Sequence, residues 1–193
     1  MNTIIKTLVI TVLLVAAVLT LRMYGVPPKA QIDQDVTQAY SNNTFSVRTP
    51  NGYATDESYV YQALGPGKDI KGVKFTIPES LAEGTNLSRD SYLSVEQAPD
   101  ADYCAADLFL DLPGRGMATD GKQLVASSTG AAAGNRYDEV VYAIVGTKPC
   151  VAVRYFIHYG VIENYPEGSV RAFDREALVK EFDAIRSTLL LAQ

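Results

Sequence analysis

The chain has a single histidine, His158, so general acid–base chemistry of the usual kind would have to run through it. In an extended segment His158 shares a face with Arg154 and Phe156, while Tyr155 faces the other way. No Gly-x-Ser-x-Gly elbow is present, so nothing supports a serine nucleophile beside that histidine. A lone histidine inside a strand more commonly holds structure than performs catalysis. Two arginines, Arg136 and Arg154, also sit within extended segments. A covered guanidinium needs a carboxylate, a bound anion or several carbonyls. Glu96, Asp138, Glu139 and Asp183 are the ordinary candidates to pair with it. The alternative is an anion site built from Arg154, His158 and Tyr155 with Asn135 and Arg136. Cys104 and Cys150 are the only cysteines, and with one histidine they fall short of the four ligands of a zinc centre, so no metal is expected. No cofactor is expected either: the glycine pairs around Pro66 and Arg115 lack the lysine and hydroxyl of a phosphate loop.

These residues need a sheet to position them. Asn135 to Val145 and Cys150 to Tyr159 are rich in Val, Ile, Tyr and Phe and are joined by Gly146-Thr147-Lys148-Pro149, the pattern of two long strands and a turn. Thr44–Thr49, Ser58–Leu64, Val73–Ile77 and Asp90–Gln97 read as further strands, bounded by Gly, Pro and Asn. Pro99 and Asp100 open an expected helix over Asp102–Leu112, which would turn Cys104 toward the sheet. Met117–Gly134 is loosely patterned, with room for one short strand. Asp174 is an expected N-cap, with Phe173 and Leu178 spaced as a hydrophobic staple. Leu178, Phe182, Ile185 and Leu189 then recur at helical spacing, leaving Arg175, Lys180 and Arg186 on the solvated side. The order predicts an α+β fold: a mainly antiparallel β-sheet packed with helices.

The N-terminus supplies a compartment. Thr7–Leu21 is an uncharged apolar run between Lys6 and Arg22, at the boundary between a signal-peptide core and a spanning helix. We read residues 1–25 as a hydrophobic helix, either an uncleaved anchor over residues 4–24 or a cleaved signal peptide, residues 26–43 as a tether or short helix, and residues 44–193 as one domain. A chain delivered outside the cytoplasm pairs two cysteines as a disulfide; two buried reduced thiols are the alternative. The net charge of −5, with lysines and arginines scattered, offers no track for a phosphate backbone, which argues against nucleic acid.

Phe45-Ser46-Val47-Arg48-Thr49-Pro50-Asn51-Gly52-Tyr53, the strand Ser91–Glu96 before an expected helix, and the closing Phe173–Leu189 segment together resemble the PsbP/Mog1-like family. The chain departs from it in having Tyr53 where the family commonly carries tryptophan. The resemblance implies an α/β/α sandwich around an antiparallel sheet and docking to larger assemblies, with no shared catalytic residues to transfer. The expected function is a non-enzymatic domain of the cell envelope, on the periplasmic or extracytoplasmic side, that docks to a protein partner or assembly. The alternative is a domain that binds a small anionic ligand or a lipid.

Overall fold

The computed structural model describes residues 37–99, 101–110, 118–119 and 122–192. The expected anchor and the first part of the tether lie outside these residues. Among the described residues no helix is long and apolar enough to cross a membrane.

Period-two alternation of buried and exposed residues is plain in Phe45–Pro50 and Ile70–Thr76, whereas the central segments Tyr92–Ala98 and Cys150–Gly160 are buried along most of both faces. Strand β1 (Thr37–Ser41) pairs antiparallel with β2 (Phe45–Pro50), which pairs with β11 (Leu190–Leu191) to make a small three-stranded sheet. The segment read as a tether or short helix therefore ends in a strand. The main sheet has eight strands: β3 (Ala54–Asp56), β4 (Val60–Tyr61), β5 (Ile70–Thr76), β6 (Tyr92–Ala98), β7 (Ala118–Thr119), β8 (Gln123–Ala132), β9 (Asn135–Ile144) and β10 (Cys150–Gly160). Their spatial order is β3-β5-β6-β10-β9-β8-β7, with β4 also on β5, and every pairing is antiparallel. The expected hairpin is its centre: Arg154 lies opposite Val141 on one side and Ser94 on the other.

One face of this sheet carries the main core. Val95, Val153, Tyr155 and Ile157 pack there against Phe45 and Val47 of β2 and against Leu178, Phe182 and Ile185 of helix α2 (Arg175–Ser187). Helix α2 forms as its sequence predicts. The Asp174 carboxylate accepts from the Ala177 N–H at 2.9 Å, and the apolar stripe is buried. Each large side chain in that stripe contributes about 1.5–3 kcal/mol relative to exposure. The second α-helix among the described residues, α1 (Glu79–Ala82), is a single turn.

The opposite face has no α-helix on it among the described residues, and this corrects the expected α+β sandwich. The fold is predominantly antiparallel β with one packed helix, not an α/β/α arrangement. The segment expected to supply the second helical layer bends at Asp102 and Tyr103, is extended at Ala105 and makes a 3₁₀ turn at Ala106–Phe109; the last two residues of the expected helix lie outside the described residues. Cys104 is bonded to Cys150, and the Phe109 carbonyl accepts from Arg154 at 2.6 Å. Tertiary bonds thus replace the backbone ladder that so short a helix would sustain only marginally by itself. Ala106, Phe109 and Leu110 form a second cluster with Ala126, Val141, Ala143 and Ala152.

Two further differences concern strands. Ser58–Leu64 shrinks to the two residues of β4, whereas the loosely patterned connection contains the ten-residue β8. The run Ala-Ser-Ser-Thr-Gly-Ala-Ala has little intrinsic strand preference; pairing with β9 along ten rungs imposes the conformation. The hairpin closes through Ala133 and Gly134, both at positive φ (49° and 81°), as a two-residue turn matching the strand twist requires.

Candidate functional site

Strand β10 carries most of the residues singled out from the sequence, and alternation sorts them onto two faces. Arg154, Phe156 and His158 project from the helix-free face; Tyr155 projects into the main core beneath α2. The five candidates for an anion site therefore do not converge.

Arg154 is fully buried, and each of its groups is used within the protein. Its Nε donates to Glu96 Oε1 at 2.7 Å, and Nη2 donates to Glu96 Oε2 at 2.9 Å and to the Phe109 carbonyl. Its Nη1 donates to Glu139 Oε2. The guanidinium lies over the Tyr61 ring, 3.5 Å from the centroid, and the Tyr61 hydroxyl donates to Glu139 at 3.0 Å. Glu96 is also fully buried, and the Ser94 hydroxyl donates to it at 2.7 Å. Burial alone would lower the affinity of the guanidinium for its proton; Glu96 and Glu139 more than reverse this, so Arg154 is held above its ordinary value. This is the paired arrangement expected of a covered arginine, with Glu96 and Glu139 as the carboxylates. Gly72 of β5 belongs to it too, because a Cβ there would stand 2.5 Å from the Val95 carbonyl and 3.1 Å from Glu96.

His158 sits at the open end of the same face. Its Nδ1 meets Asp90 Oδ1 at 2.8 Å, and Nε2 meets Asn135 Oδ1 at 3.1 Å. The imidazole stacks on Tyr137 with 4.5 Å between centroids. Asn135 and His158 are thus brought together, as the sequence suggested, with Asp90 and Tyr137 as additional members. Arg136 points away, is exposed, and has no ion pair among the described residues.

Between these clusters runs a strip of rings. Tyr59 meets Tyr92 at 5.5 Å, Tyr92 stacks on Phe156 at 4.9 Å, and Phe156 lies 6.1 Å from Tyr137. Lys74 caps the far end, 5.4 Å from the Tyr59 centroid. The Tyr59 and Tyr92 hydroxyls share a hydrogen bond of 2.8 Å. Burial raises the phenol pKa values of Tyr59, Tyr61 and Tyr92, and the nearby Glu96 carboxylate adds to the effect.

Tyr155 belongs to a different network. Its hydroxyl donates to Asp183 Oδ1 at 2.8 Å and accepts from Arg186 Nε at 2.7 Å. Arg186 also reaches Gln123 and lies 3.9 Å from the Tyr142 ring centroid. The sequence placed Arg186 on the solvated side of α2; it is mostly covered instead, because β8 and β9 flank the helix where a periodicity argument sees only water.

Cys104 and Cys150 form a disulfide with a Cα–Cα distance of 4.9 Å. The loop around Asn86 is structural. Asn86 Nδ2 donates to the Gly160 carbonyl at 2.7 Å while Oδ1 accepts from the Phe173 N–H at 2.9 Å, tying the end of β10 to the approach to α2. A separate cleft of about 390 Å³ is lined by Tyr40, Asn42, Glu57, Asp69, Lys71 and Gln97 among others, and none of the sequence-selected residues reaches it. Nothing in the local sequence marks Tyr61 as a partner of Arg154, whereas extending the alternation of β6 backward from Glu96 places Ser94 and Tyr92 beside it on one face.

Comparison of the chain with models of known protein families and with curated proteins gives no match in either case.

Proposed function

We propose that this is a non-catalytic domain of the cell envelope that docks a protein partner through the helix-free face of its main sheet. The observation that carries the reading is the strip Tyr92–Phe156–Tyr137–His158. Except for Tyr92, which is buried, these rings are half-buried on a face that no described α-helix covers. Aromatic side chains in that state suit the centre of a protein interface, since they bring large area at low entropic cost. The rings turn their faces to one another, so they offer no slot for a flat ligand, and the neighbouring cations are already paired, Arg154 with Glu96 and Glu139 and Lys74 with Asp56. His158 serves here as part of the docking surface, held by Asp90 and Asn135. The disulfide and the apolar run Thr7–Leu21 support an extracytoplasmic location on the envelope.

The test is a photo-reactive phenylalanine analogue placed at Phe156 or Tyr137 of the full chain in its native membrane. Docking on this face gives one discrete adduct with a second protein from both positions and none from Lys180, exposed on α2. Adducts at Lys180 alone, or none at Phe156 and Tyr137, would overturn the reading.

A further inference from the structure

We propose that the cleft between the β1–β2 turn and the start of β5 binds an amino-acid zwitterion, as a free amino acid or as a short peptide with both ends unblocked. It is a second site, independent of the docking face. Val73 of β5 and Val95 of β6 belong to the main core. Alternation places Lys71 and Gln97, two residues further along and directly opposite each other, on that same face. The aromatic strip lies on the other. The cleft has a volume of about 390 Å³, toward the small end of small-molecule sites.

Three connections between strands converge on it. Tyr40 and Asn42 supply one wall. Asn42 Oδ1 accepts from the Thr44 and Phe45 N–H groups at 2.8 and 2.9 Å, which fixes that wall before any ligand arrives. Glu57 follows β3 and Asp69 precedes β5, and both reach the cleft beside Lys71 and Gln97. Among the described residues, Lys71, Asp69 and Gln97 spend no side-chain hydrogen bond or ion pair on the protein itself. Glu57 receives only a long contact from the Tyr40 hydroxyl, at 3.5 Å.

The charges select the ligand. One ammonium and two carboxylates line a single concavity, yet no ion pair joins Lys71 to Glu57 or Asp69. An anion entering here meets two carboxylates, and a simple cation meets Lys71. A neutral ligand displaces water from all three charges and returns no charge to any of them. A zwitterion answers both signs: its carboxylate accepts from Lys71 and the Gln97 amide, and its ammonium donates to Glu57 and Asp69.

The experiment titrates the isotope-labelled full chain, in a mild non-ionic detergent, with millimolar alanine or alanyl-alanine and follows the backbone amides by nuclear magnetic resonance. The expected result is a saturable shift of the amides of Asn42, Lys71, Gly72 and Gln97, with those of Tyr137 and Phe156 on the docking face unmoved. The stronger of the two probes tells whether the ligand is an amino acid or a peptide. N-acetylating that probe or amidating its carboxylate removes one charge and weakens binding about tenfold, the loss of one charge-assisted hydrogen bond. Lys71→Gln weakens it similarly, and amidation then has no further effect, because its partner is already gone. Lys71 is exposed, so an unchanged unfolding midpoint confirms that the variant folds. The absence of cleft shifts with both probes overturns the proposal. So does equal binding of the blocked and unblocked forms, or a response to N-acetylglucosamine alone, which would make the cleft a sugar site.

Discussion

Replacing Arg154 by Met tests whether the buried charge cluster holds the fold together. The native guanidinium makes two bonds to Glu96, one to Glu139 and one to the Phe109 carbonyl. Methionine fills much of the volume and supplies none of them. Glu139 retains the Tyr61 hydroxyl, and its side chain is 16% exposed, so water can replace the lost partner. Glu96 is the costly residue. It is fully buried, and after the change it keeps only the Ser94 hydroxyl at 2.7 Å and the distant Tyr59 hydroxyl at 3.4 Å. Removing one partner of such a pair typically costs about 3–5 kcal/mol, because the other charge stays desolvated. Urea unfolding followed by circular dichroism reads this as a lower midpoint at an unchanged slope. The double variant Glu96→Gln/Arg154→Met removes the stranded charge and recovers part of the loss, leaving roughly 1–3 kcal/mol for imperfectly satisfied polar groups. A single variant within about 1 kcal/mol of the native protein would refute the reasoning, since that falls well below the roughly 3–5 kcal/mol typical of breaking a buried pair. A double variant no more stable than the single one would refute it too. An anion-binding role for Arg154 predicts something else again: a stable Arg154→Met protein that no longer responds to anions.

Other expectations come from the same geometry. Reducing the disulfide, which closes a sequence separation of 46 residues, lowers unfolding free energy by about 4 kcal/mol on a chain-entropy estimate, read as the shift in urea midpoint with and without reductant. Asn86→Ala removes the partner of the Gly160 carbonyl and of the Phe173 N–H, costing roughly 2–3 kcal/mol, whereas the same change at exposed Asn51 stays within about 0.5 kcal/mol. Burial raises the phenol pKa values of Tyr53, Tyr59, Tyr61, Tyr92 and Tyr155 in the folded state. The folded form then binds more protons than the unfolded one above about pH 10, the ordinary tyrosine range, so stability is complete below that pH and falls as pH rises beyond it. Ultraviolet titration should show these five phenols ionising together with the loss of far-ultraviolet dichroism; ionisation of all twelve tyrosines at pH 10 with the fold intact would contradict the burial.

The sequence alone determined the elements whose signals are local. Helix α2 has its cap at Asp174 and its stripe at Leu178, Phe182 and Ile185 written into a short window, and β9 and β10 announce themselves by β-branched and aromatic composition with a turn between. Alternation also fixed that Arg154 and His158 share a face opposed to Tyr155, and composition selected the cysteine pair. Only the tertiary structure decided the rest, because it depends on partners distant in sequence. Pairing with β9 makes a strand of the small-residue run in β8, which no propensity favours. A disulfide and a guanidinium turn the expected helix after Pro99 into a strap with a single 3₁₀ turn. The flanking sheet covers Arg186, which helical periodicity assigns to solvent. Glu96 and Arg154, 58 residues apart, become one buried unit only when β6 and β10 lie side by side. Local windows carry propensity and period, but the desolvation that turns a charge into a structural cornerstone exists only after the chain has closed over it.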